Sequence, residues 1–160
     1  SRSIYVSMPS ATDPSTAPAG CENLFVLVPV PAAESLGHGD MYRAQASPAV
    51  ERIADAAIDQ IAEWCGIDDL AERVVVRKTL GPADFAERYN AWSGGSIGPA
   101  HTLRQSAFFR GRNQSRKLDN LLYAGATTAP GVGVPMCLIS AENVVKRLRG
   151  DRSPGPLKEP

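Results

Sequence analysis

No apolar run in this chain approaches the ~20 residues that a membrane-spanning helix needs, so no segment is expected to cross a bilayer. The opening "SRSIYVSMPS" holds no apolar core of signal-peptide length, and no initiator Met precedes it, as expected of a segment from within a longer polypeptide. Net charge is also absent. The 17 basic side chains balance 17 acidic ones, which removes the electrostatic case for nucleic acid as a partner. Cysteine is scarce and odd in number. Cys21, Cys65 and Cys137 make no CxxC pair and no metal-ligand spacing with His38 or His101, so no metal site is expected. Each thiol stands among apolar residues, as a small hydrophobe would, and a reducing cytosol suits all three.

What is present begins with length: 160 residues suffice for one ordinary domain with its own core. Ile4–Val6 alternates as a strand does, and "LFVLVPVP" (24–31) reads as a strand buried on both faces until Pro29 and Pro31 stop it. Ser47-Pro48 is an N-cap signature followed by proline at the first helical position. From there Val50, Ile53, Ala54, Ala57, Ile58, Ile61, Ala62 and Cys65 recur at intervals of three and four. This predicts an amphipathic helix ended by Gly66. "RVVVRKTL" (73–80) predicts a β-branched strand. Gly81-Pro82 opens a short helix in which Phe85 and Tyr89 share a face.

The segment from Ser93 to Lys117 is long, glycine-bearing and mostly irregular, yet Leu103, Phe108 and Phe109 make it apolar enough to be expected to pack. Basic residues without an acid run from Arg104 to Lys117, and a second basic cluster spans Lys146–Arg152. Such runs are normally solvated faces. Asp119–Ala124 predicts a further strand. A last helix follows, with Val134, Leu138, Ala141, Val145 and Leu148 as its stripe and Gly150 as its stop, and 151–160 is expected to fray.

Between that strand and helix lies "GATTAPGVGVPM". Pro130, Gly131 and Gly133 strip side chains from the backbone just before the helix, whose first amides have no internal acceptor and carry partial positive charge. A carbonyl, phosphate or anionic ring atom could dock there without a charged side chain. The likeness to G-x-G-x-x-G is partial: Met136 replaces the third glycine, and Asp151, about 20 residues on, follows a helix and not a second strand. An amino-terminal Rossmann fingerprint is therefore excluded, while a plain tight turn and an oxygen- or phosphate-binding turn both stay open. His101 lacks a triad's partners, and Ser96 and Ser106 lack an elbow motif. No complete set of acid, base and nucleophile exists, so redox or group-transfer chemistry would have to come from a cofactor.

The segments "TDPSTAPAGCENLFVLVPVP", "TLRQSAFFR-x-x-N", "NLLYAG" and "T-x-PGVGVPM" together resemble the carboxy-terminal part of bacterial-type phytoene desaturases. These are FAD-dependent carotenoid dehydrogenases related to the flavin amine oxidases, and the likeness runs from about Ile4 to Gly150. The resemblance implies an α/β (mixed α+β) fragment. Residues 1–114 would be part of a substrate-binding domain with its linker, and 115–150 the returning strand and helix of a split, Rossmann-type FAD-binding domain; 151–160 would be a flexible tail.

It further implies FAD contacts at Gly125, Thr128, Pro130, Gly131, Val132, Gly133, Val134, Pro135 and Met136, with no catalytic side chain or metal ligand in this stretch. The implied partners are phytoene or a related carotenoid precursor, the amino-terminal FAD-binding part of the same protein, and the cytoplasmic membrane surface, with the whole enzyme cytoplasmic and peripheral. Diapophytoene desaturase, carotenoid isomerase, amine oxidase or a non-catalytic module for an apolar ligand are the alternatives. This chain departs from the family at Ala129, where many relatives carry His, and in having Arg110-Gly111 and Asn113-Gln114 where Arg-Pro and Asn-Arg are common.

Overall fold

The computed structural model describes residues 3–100, 102–106 and 109–157. Helices and one small sheet are mixed, in line with the expected α/β character. The chain divides into two compact units, Ser1–Gly94 and Gly95–Pro160, and the expected boundary at 114–115 falls inside the second.

In the first unit, β1 (Tyr5–Ser7) pairs antiparallel with β2 (Phe25–Leu27), with Val6 opposite Val26. The expected strand at 24–31 is thus real but shorter, and it is not buried on both faces: Phe25 and Leu27 are exposed. A two-stranded ribbon has only one neighbour per strand and no layer above or below it, which leaves its side chains in solvent.

Helix α1 (Pro48–Cys65) forms where the periodicity places it, and Gly66 ends it at φ 66°, a left-handed conformation that costs glycine nothing. Its inward face supplies the buried apolar core of the described residues: Val50, Ala57 and Ile61. Ser47 occupies the N-cap position, but its hydroxyl is turned away from the helix and accepts from the His38 backbone N–H at 3.0 Å. The β-branched run 73–80 forms no strand, and Val75 and Val76 are exposed, because no neighbouring strand among the described residues meets its open hydrogen-bonding groups.

That run instead feeds a polar clamp. Asp40 accepts from the backbone N–H of Thr79 (2.7 Å) and from its hydroxyl (3.0 Å), and Met41 N–H donates to Thr79 O. Asp84, only 3% exposed, accepts from the backbone N–H groups of Gly39 (2.6 Å) and Gly81 (2.8 Å) at the start of α2 (Pro82–Tyr89). The aromatic pair expected on α2 is present, with Phe85 and Tyr89 ring centroids 5.9 Å apart.

In the second unit, α3 (Val134–Arg149) is the principal element, and Gly150 ends it in a left-handed conformation. The expected apolar stripe is not its buried face: Val134, Leu138 and Leu148 are exposed. Ser140 and Lys146 are the buried residues of the helix. No strand forms at 119–124; Leu122 makes one isolated antiparallel bridge to Gln114 and has no ladder to join. Leu103 and Phe109, expected to pack, are exposed, and Phe108 lies outside the described residues. Cys21 and Cys65 are exposed too, contrary to the reading of them as small core hydrophobes. The segment after Gly150 folds back along α3: Lys146 Nζ donates to the carbonyls of Ser153 and Gly155, and Leu157 N–H donates to Glu142.

Candidate functional site

The residues from Gly125 to Met136 form one continuous loop leading into α3. The loop is held by side chains from outside it. Ser140 Oγ, with no exposed surface, accepts from the Gly125 backbone N–H at 3.0 Å and lies 2.7 Å from the Thr128 hydroxyl. Asn113 Nδ2 reaches Ser140 Oγ (3.0 Å), Thr128 Oγ1 (3.3 Å) and Tyr123 O (3.1 Å). The Thr128 hydroxyl donates to Gly125 O at 2.9 Å, closing the turn on itself. Asn113 and Thr128 are themselves buried, so this is a satisfied polar network, the kind that fixes one arrangement of the chain.

A second tie comes from Arg110, 4% exposed. Its Nε (2.8 Å) and Nη2 (2.6 Å) both donate to Ala126 O, and Nη2 also donates to Ile97 O at 3.0 Å. Ala129 N–H donates to Gly111 O at 2.8 Å. Arg110 therefore does not belong to a solvated basic face, although Arg104, Arg112, Arg116 and Lys117 around it are exposed.

The far end of the loop is open. Gly133 has φ 111°, and a Cβ placed on it or on Gly125 would meet nothing within 4 Å. Gly133 caps α3, and Cys137 N–H to Gly133 O is the first bond of the helix. The amides of Val134 and Met136 therefore have no acceptor among the described residues, and Pro135 between them has none to offer. Gly133 to Met136 are all exposed, whereas Thr128 and Gly131 are buried and Pro130 and Val132 half-buried. The structure so divides the expected contact residues. Gly133–Met136 present backbone to solvent, while the backbone N–H and C=O of Gly125 and the hydroxyl of Thr128 are engaged inside the network.

This arrangement suits a hydrogen-bond acceptor or an anionic group: open space beside Gly133, two unpaired amides and the positive end of a 16-residue helix. A polar cleft of about 750 Å³ lies at the opposite end of α3, lined by residues such as Asn113, Asp119, Lys146 and Ser153, so this cleft and the open amides do not coincide. No cluster of three or more metal-ligating side chains occurs among the described residues, and none of their helices is long and apolar enough to cross a membrane. His101 lies outside the described residues.

Sequence reasoning found the loop but missed Ser140 and gave Arg110 and Asn113 no role. The available signals were the R-x-x-N spacing and a serine set among the apolar residues of a helix.

No family model matches the chain. It is 46% identical over 147 residues to the carotenoid 3,4-desaturase of Haloarcula japonica, a match covering 92% of this chain and 28% of that protein. It is 35% identical over 153 residues to the 4,4'-diapophytoene desaturase (4,4'-diaponeurosporene-forming) of Staphylococcus aureus strain MRSA252, covering 96% of this chain and 30% of that protein. The chain thus spans less than a third of the length of these curated relatives. The resemblance to carotenoid desaturases drawn from the sequence motifs is upheld: these homologues are carotenoid desaturases, and the likeness covers nearly all of the chain.

Proposed function

We propose that this chain is part of an FAD-dependent carotenoid desaturase and that its loop from Gly125 to Met136 forms the flavin-facing edge of the cofactor site. The observation that carries the reading is the similarity to carotenoid desaturases along 92% of the chain, at 46% identity to one of them. Phytoene or a closely related precursor is the substrate within this reading, and residues 1–114 and 115–150 are assigned to substrate-binding and cofactor-binding parts respectively. A substrate that hydrophobic also implies contact with the membrane surface.

When bound, FAD would supply the two-electron oxidation, taking up hydrogen removed from adjacent saturated carbons. The chain's own contribution is position and electrostatics. Val134 and Met136 would offer backbone amides to an acceptor edge, and the amino end of α3 would stabilise negative charge gathering there. Gly133 would let that edge approach the backbone, because no side chain stands in the way. Asn113, Thr128, Ser140 and Arg110 would hold the loop in this form before the cofactor arrives, which limits the ordering cost of binding.

The test uses the full-length protein that contains this sequence. Purified protein should carry flavin absorbance, and incubation with phytoene should produce bands at longer wavelength as conjugation extends. Gly133→Val should lower flavin occupancy and turnover together, since a β-branched residue is strained at φ 111° and fills the open side. Ala129→His should be tolerated. Colourless protein, or unchanged flavin occupancy in Gly133→Val, would overturn the assignment of this loop.

A further inference from the structure

Arg110 is a buried cation with no anion beside it among the described residues. Arg43, Arg73, Arg77 and Lys78 each meet a carboxylate. Arg110, by contrast, donates to the carbonyls of Ala126, Ile97 and Pro99, and no carboxylate among the described residues pairs with it. Carbonyl dipoles satisfy its hydrogen-bonding groups but leave its full positive charge in place, and arginine cannot shed that charge. Burying a cation unopposed is costly; Lys146 is likewise buried on carbonyls, so what sets Arg110 apart is its place beside the cofactor loop.

The charge lies against the cofactor loop itself. A Cβ on Gly131 would sit 3.8 Å from Arg110 Cδ and 4.0 Å from Nε, so the loop backbone at Gly131 lies directly against the arginine. Gly131 lies three residues before Val134, the first residue of α3, whose helix end is also positive. Two sources of positive potential thus converge on one loop, and no carboxylate among the described residues pairs with either.

We propose that Arg110 is a positioning residue for the cofactor and that its unopposed charge raises the reduction potential of the flavin held against Gly131–Met136. The proposal rests on the flavin reading above. It requires no chemistry of Arg110 itself: the guanidinium neither gives nor takes a proton, and it favours the state in which the bound group carries more negative charge.

The experiment compares full-length wild type with Arg110→Lys, Arg110→Gln and Arg110→Met by potentiometric titration of the bound flavin and by flavin occupancy. Lys keeps the charge and loses the fork, Gln keeps some hydrogen bonding without charge, and Met keeps bulk alone. Arg110→Lys should titrate near wild type. Arg110→Gln and Arg110→Met should shift at least tenfold toward the oxidised form, about 30 mV lower for a two-electron couple. If the two neutral variants shed flavin, occupancy becomes the readout: retention in Arg110→Lys supports the proposal, and equal loss from all three overturns it. One shared potential across variants that all hold flavin would overturn the role of Arg110 alone. A wild-type protein without flavin would overturn the flavin reading, and this proposal with it.

Discussion

The two units hold themselves together by opposite means. In Ser1–Gly94 a helix buries Val50, Ala57 and Ile61, and a polar clamp around Asp40 and Asp84 fixes the loop beside it. Among the described residues of Gly95–Pro160 the buried side chains are Arg110, Asn113, Thr128, Ser140 and Lys146, while Val134, Leu138 and Leu148 of the α3 stripe face solvent. The first unit follows the ordinary rule that apolar burial stabilises and polar contacts orient. The second reverses the proportions of what is buried, and hydrogen bonds shape its loop; large apolar side chains lie in solvent in both units, Phe25, Val75 and Val76 in the first and Val134, Leu138 and Leu148 in the second.

That contrast can be broken most forcefully at Ile61. Ile61→Ala should cost about 3 kcal/mol by removing buried methyl groups and leaving a cavity. Hydrogen exchange followed by mass spectrometry should place the lost protection in residues 1–94. Leu138→Ala, on the exposed stripe, should cost less than about 0.5 kcal/mol in this chain. A Leu138 cost equal to that of Ile61 would mean the stripe is covered and the contrast false.

Ser140→Ala comes next, at about 2 kcal/mol, because it leaves the Gly125 amide and an Asn113 donor buried without their acceptor. Its exchange signature should appear in 111–133 and spare α1. Protection lost evenly across both units would show that the network is not local to the loop.

The smallest effect belongs to Asp40. The Thr79 backbone N–H, with Lys78 and the Thr79 hydroxyl, holds its carboxyl below the ordinary value of 3.8. A depressed folded value adds stability that is fully present above the unfolded value and fades as pH falls through the folded one. Wild type should therefore melt above Asp40→Asn at pH 6, and the gap should close as pH falls below 3.8. A gap that persists at pH 2 would mean that Asp40 acts through shape and not through charge.

Legibility in the sequence divided along the same line. Helix α1 was readable because burial, capping position and stop signal all coincide in one local stretch: Pro48, the Val50-to-Ile61 face and Gly66. The run at 73–80 was misread because β-branching describes a residue's fit to a sheet, whereas a strand needs a partner that local sequence does not supply. The clamp was invisible for a related reason. Asp84 reaches Gly39 across 45 residues, and no periodicity records such a pairing. In α3 the helix was legible but its orientation was not, since hydrophobic spacing picks out Val134, Leu138 and Leu148 while the side turned inward is marked by one small polar residue, Ser140. The glycine loop was readable as a loop that could hold a ligand. The residues that shape it were not, because Arg110 and Asn113 act from 15 or so residues upstream.

Pro135 carries a consequence for what kind of guest the helix start can select. A helix usually offers a fan of successive amides, which suits the three equivalent oxygens of a phosphate. Here the middle blade of the fan is removed, leaving Val134 and Met136 as two separated donors with a rigid ring between them. Such a fork discriminates by spacing: it favours a flat edge with acceptors at two points over a tetrahedral anion that would leave one oxygen facing the proline.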